Sequence, residues 1–119
     1  MSQDDLFAHH NPFGPEAMAA ARARREQQQK DSLDALLRLC KVAQGGSGQC
    51  HHVRRFLLGL YNCKKWPFEL NRLRNLDRNI AEDCFTVLRL DVAAYQEIHQ
   101  YIKNGDQLWR SWWELEDSE

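Results

Sequence analysis

No run of apolar residues in this 119-residue chain approaches the ~18 that a membrane-spanning helix needs. The opening Met1-Ser2-Gln3-Asp4-Asp5 lacks both the positive region and the apolar stretch of a secretory leader. A cytoplasmic chain without membrane association is therefore expected. An excess of charge of either sign is also lacking: 16 basic residues stand against 17 acidic ones. That balance supplies no global attraction to nucleic acid or anionic lipid. Cys40, Cys50, Cys63 and Cys84 form no C-x-x-C pair. The chain thus lacks the cysteine density of a disulfide scaffold, and its thiols read as small hydrophobes in a reduced state. No stretch alternates apolar and polar residues over strand length, and no internal repeat occurs.

What is present is helical patterning. Apolar residues make up 43% of the chain, enough for one modest core, since a domain of this size buries about 65% of its unfolded surface. Residues 1–14 read as a loop-like tail with few large apolar residues, Leu6 and Phe13 among them. From Pro15 to Lys30 the composition turns to Ala, Arg, Glu and Gln. Pro15 suits a first helical turn with Glu16 at the positive end of the dipole. With little apolar stripe beyond Met18, this segment predicts an exposed helix or a frayed tail over 1–30.

The helical domain is expected over 31–117. Asp31 and Ser32 offer a cap, and Leu33, Leu36, Leu37, Cys40 and Ala43 follow at helical spacing. Gly45 and Gly46 end that helix. Ser47 is the natural cap of the next, which predicts Cys50, Val53, Phe56, Leu57, Leu60 and Tyr61 on one buried face running on toward Cys63. His51, Arg54 and Arg55 fall off that face. Gly59 within this helix costs ~1 kcal/mol relative to alanine, so a close approach of another backbone is expected there. Pro67 holds Trp66 extended, and a short turn follows over 72–76. Asp77 caps a third helix carrying Ile80, Ala81, Cys84, Phe85, Val87 and Leu88 inward. A fourth segment runs from Val92 to Ile102. After Asn104-Gly105 the last helix starts at Asp106, with Leu108, Trp109, Trp112, Trp113 and Leu115. The expected fold is an all-α bundle of four to five helices.

Several constellations invite chemistry. Gly45-Gly46-Ser47-Gly48 ahead of a helix could seat an anion, but no Lys-Ser/Thr pair follows and no strand precedes it, so an interhelical turn is the expectation. The order helix, glycine turn, basic second helix resembles a DNA-binding helix-turn-helix. There, however, His52 and Arg55 (or His51 and Arg54) stand where apolar residues should pack the second helix on the first. Cys50, His51 and His52, with His9, His10 or His99, could supply metal donors. Neighbours on a helix point about 100° apart, so the three cannot converge. Cys50 lacks an orienting partner for nucleophilic chemistry, and no catalytic residue, metal or cofactor is expected.

Charge is unevenly placed. From His51 to Arg78 there are seven bases against Glu69 and Asp77, whereas Trp113–Glu119 carries four acids and no base. The two segments could pair within the fold, or the basic one could face a partner. The partner-binding candidates are Arg54, Arg55, Lys64, Lys65, Trp66, Arg72 and Arg74. Trp109, Trp112 and Trp113 are either a lid on the core, each burying ~150–250 Å², or a second interface, for instance of a homodimer.

One pattern carries a resemblance. Ala43-Gln44-Gly45, Gly48-Gln49, the basic pair Arg54-Arg55, Phe56-Leu57-Leu58 and Asn62 are followed by Phe68-Glu69-Leu70, Leu73, Asn75-Leu76-Asp77 and Ile80-Ala81-Glu82-Asp83. Over 36–90 this resembles an uncharacterised family of small bacterial proteins carried on plasmids, integrative elements and related mobile DNA. The family usually has an alcohol side chain at the place of Cys50 and often an aspartate at that of Gly46, which argues against chemistry at Cys50. The resemblance implies an accessory role in that setting. The expected function is non-enzymatic: binding of a protein partner through the basic surface, with a nucleic-acid-binding accessory or regulator using the same residues as the alternative and a small enzyme as the third.

Overall fold

The computed structural model describes residues 13–118, so the expectations for Leu6, His9 and His10 lie outside the described residues. The chain is all-α, and no strand occurs among the described residues. Among the described residues four α-helices follow in order: α1 (Pro15–Ala43), α2 (Gly48–Tyr61), α3 (Arg78–Ala93) and α4 (Gly105–Asp117). Two short 3-10 turns intervene, Leu70–Asn75 before α3 and Ile98–Tyr101 before α4. No helix among the described residues is long and apolar enough to cross a membrane.

The chain divides into two units, Met1–Lys30 and Asp31–Glu119. The described part of the first is helical from Pro15, rich in alanine and mostly exposed. The second holds the core: Leu36, Leu39 and Ala43 of α1, Val53, Phe56, Leu57 and Leu58 of α2, Cys84 and Val87 of α3, Ile98, and Trp109 and Trp112 of α4. Helix α2 is the central element. Helix α4 and both 3-10 turns lie against it, and the Trp109 indole N–H donates to the Leu57 carbonyl at 3.0 Å.

Glycine fixes two of these approaches. A Cβ on Gly59 would stand 2.9 Å from the Trp66 carbonyl oxygen. The expected close approach is there, but the backbone that makes it belongs to the connection after α2 and not to a crossing helix. At Gly105 a Cβ would collide with the His99 carbonyl, so only glycine lets α4 start against the second 3-10 turn. Asn104, at φ 60°, takes the left-handed conformation that asparagine tolerates and forms the entry to α4.

Several sequence expectations are corrected. Asp31 and Ser32 do not cap a helix: α1 runs through them, and Ser32 is buried. The expected segment from Val92 to Ile102 is not one helix. Helix α3 ends at Ala93, Ala94 turns left-handed at φ 56°, and a 3-10 turn follows. Leu37, Tyr61, Phe85, Leu88 and Cys63 are exposed, although their spacing placed them inward. Arg54, expected off the buried face, is buried.

Candidate functional site

The polar centre of the molecule is built around one carboxylate. Glu116, near the end of α4, is fully buried and receives donors on both oxygens. Arg54 Nε lies 2.9 Å from Oε2, and Arg55 Nε lies 2.6 Å from Oε1. His51 Nδ1 stands 2.7 Å from the same Oε1. All three donors come from the first two turns of α2. Residues 51, 54 and 55 share one side of a helix because three or four positions make about a full turn.

Arg54 also reaches α1. Its Nη1 donates to the carbonyls of Ala43 at 3.0 Å and Gly45 at 2.7 Å. Those carbonyls lie at and just past the C-terminus of α1, where backbone acceptors lack helical partners and the dipole is negative. One guanidinium therefore caps α1, springs from α2 and neutralises α4. Burial alone would raise the Glu116 pKa, but hydrogen bonds from Arg55, His51 and Arg54 outweigh it and hold the carboxyl below its ordinary range.

Around this centre lies a second layer. The Arg55 guanidinium sits 4.6 Å from the centre of the Trp66 ring and Lys65 Nζ 5.4 Å from it, both within cation–π range. Trp66 packs edge-on against Trp113 at 5.5 Å. Lys65 pairs with Asp117 at 2.9 Å. On the other side, Arg72 Nη1 approaches His52 Nδ1 at 3.1 Å and His51 Nε2 at 3.5 Å. A guanidinium only donates, so His52 presents an acceptor nitrogen to it. Burial, then Arg72 and His51, lower the His52 pKa.

Of the expected partner-binding residues, then, Arg54 and Trp66 are interior. Arg55 and Arg72 are half-buried and paired, and Lys65 is exposed but engaged with Asp117. Lys64 and Arg74 are exposed. Trp109 and Trp112 belong to the core and Trp113 is half-buried, so this cluster is chiefly the lid of the core. Sequence reasoning missed Glu116 as the centre. The uneven charge between 51–78 and 113–119 was the signal for it.

The positions that carried the resemblance are struts. Gln49 Oε1 accepts the Asp77 backbone N–H, and its Nε2 donates to Asp77 Oδ2 at 3.3 Å, tying the start of α2 to the start of α3. Asn62 Oδ1 accepts the Lys65 N–H at 3.0 Å, shaping the turn after α2. Arg38 grips Asp83 through two bonds of 2.9 Å. Cys50 Sγ lies 3.1 Å from Ser47 Oγ, and a Cβ on Gly45 would meet that sulfur.

Among the described residues, hollows flank the core. One of about 270 Å³ is lined by Tyr61, His99, Trp109 and Trp113 with Asp106, Glu114 and Arg110; His99 Nε2 pairs with Asp106 at 3.0 Å within it. Another, about 490 Å³ and open, lies over Leu37, Cys40, Ile102 and Leu108 with Lys41 and Lys103 among its lining residues. Among the described residues, no group of three His, Cys, Asp or Glu side chains is placed to hold a metal ion.

The architecture is that of a small all-α domain locked by two arginines on one buried carboxylate. Residues 33–117 match the family of unknown function DUF7673, and the chain belongs to that family. No curated protein and no solved structure matches it.

Proposed function

We propose that the protein is a non-enzymatic accessory factor of a bacterial mobile element that acts in the cytoplasm by binding a protein partner through its basic edge. The observation behind this reading is a surplus of positive charge that the fold does not cancel. Of the seven bases between His51 and Arg78, Arg54 and Arg55 pair with Glu116, Lys65 with Asp117 and Arg72 with Glu69. The surplus surfaces at Lys64, Arg74 and Arg78, which are exposed. An acidic segment of a partner protein is the complement such an edge attracts. The mobile-element setting rests on the family resemblance alone.

A nucleic-acid ligand for the same edge is the alternative. It is less favoured because Arg54 and Arg55, the bases nearest the glycine turn, are engaged by Glu116, leaving few guanidinium groups to reach phosphates.

The test is capture from a host lysate by wild type and by a Lys64→Glu/Arg74→Glu variant, with the bound proteins identified. A protein retained by wild type and lost with the variant supports the reading; identical captured sets reject this surface. A duplex-DNA mobility shift at low salt that weakens ~10-fold or more toward physiological salt would favour the alternative.

A further inference from the structure

Helix α3 carries two apolar faces, and the core covers one of them. Cys84, Val87 and Leu90 are buried. Roughly 120° around the helix, at 100° per residue, a second stripe runs through Ala81, Phe85, Leu88 and Val92. Phe85 is 40% exposed, Leu88 36% and Val92 80%. The intervals of four, three and four residues are those of a helix–helix seam. A contiguous apolar stripe on the surface marks a contact site.

We propose that this stripe pairs with the same stripe of a second copy of the chain, antiparallel, about a two-fold axis that passes between the two helices at the level midway between Phe85 and Leu88. The stripe is self-complementary in that direction. Phe85 of one copy meets Leu88 of the other, and Ala81 meets Val92, so each layer sets a larger side chain against a smaller one. The charges agree. Glu82 and Arg89 are both exposed on one flank of the stripe, one turn below and one turn above the axis. The two-fold places Glu82 of each copy beside Arg89 of the other, giving two unlike-charge contacts per dimer. Such mutual contact of one patch with itself is the signature of an isologous interface. A single helix pair of 16 residues is smaller than a standard interface of ~800 Å² per partner, so a weak, reversible dimer is expected. Neither Lys64 nor Arg74, the two residues that test the basic edge, lies on α3, so this contact stands whatever that edge binds.

Sedimentation equilibrium of the full chain from ~1 to ~300 µM tests it, with far-UV circular dichroism to confirm that each variant keeps its helix content. Wild type is expected to dimerise in this range. Val92→Glu, at a position too exposed to threaten folding, should weaken dimerisation by ~10-fold or more. Glu82→Arg and Arg89→Glu should each weaken it several-fold, and the double swap should restore it, since the two contacts are re-formed in reverse. A chain that stays monomeric at ~300 µM overturns the proposal. A dimer indifferent to Val92→Glu, or one that the double swap fails to restore, does so as well.

Discussion

Arg54 and Glu116 stand 62 positions apart in the chain, yet the guanidinium Nε and the carboxylate Oε2 lie 2.9 Å apart in the interior. Neither group could be buried alone, because an isolated charge in an apolar interior is strongly disfavoured. Two bonds from Nη1 tie the same guanidinium to the end of α1. The pair therefore specifies how α1, α2 and α4 meet, although a hydrophobic replacement of the whole cluster could be equally stable.

Acid should weaken the fold in two stages. Both Glu116 and His52 bind a proton less readily in the folded chain than in the unfolded one. Where the unfolded state binds more protons, stability rises with pH. The His52 contribution is complete above its ordinary value of 6.5 and is lost as pH falls through the lowered folded value. The Glu116 contribution is complete above 4.5 and is lost further down. Urea unfolding at stepped pH checks this. Glu116→Gln should flatten the lower stage and keep the upper one, widened because the Glu116 charge raises the His52 pKa.

Gly105→Ala should be far more damaging than Gly59→Ala. The new methyl at 105 has only the rigid His99 backbone to displace, a clash in the range of ~1–3 kcal/mol or more. At 59 the overlap is smaller, 2.9 Å to the Trp66 carbonyl oxygen, and alanine returns ~1 kcal/mol of helix propensity. Thermal melts should separate the two variants by several degrees, since 1 kcal/mol corresponds to roughly 4–8 °C in a domain of this size.

Three of the four thiols should react in a fixed order. Cys63 is exposed, while burial pushes Cys40 and Cys84 up to about 12. A thiol held protonated and out of water is a poor nucleophile. Alkylation followed by intact-mass and peptide analysis should label Cys63 in the native protein and reach Cys40 and Cys84 only after denaturation.

Much of the fold was legible because helices write their period into the sequence. The glycine turn at 45–46, the course of α2 and the aromatic α4 all emerged from spacing. What spacing could not decide is which apolar face the core takes. Ile80, Cys84 and Val87 share the period of Ala81, Phe85 and Leu88, so both sets were expected inward, and only packing distinguishes them. Ala94 broke the expected helix from Val92 because nothing in an alanine signals a left-handed turn. Arg54 was misplaced for a different reason. A charged side chain defaults to water unless its partner is known, and Glu116 is too distant in sequence for any local pattern to connect the two. The basic stretch and the acidic end did carry the coarse message that they could pair.

The most direct test is a double-mutant cycle on Arg54 and Glu116, measured by urea unfolding at neutral pH. Arg54→Met and Glu116→Gln should each cost ~3–5 kcal/mol, because each leaves buried charge or acceptors without a partner. The double variant should cost clearly less than their sum, with an interaction energy of ~1–3 kcal/mol. Strictly additive single effects, or singles within ~0.5 kcal/mol of wild type, would contradict a fold locked by this pair.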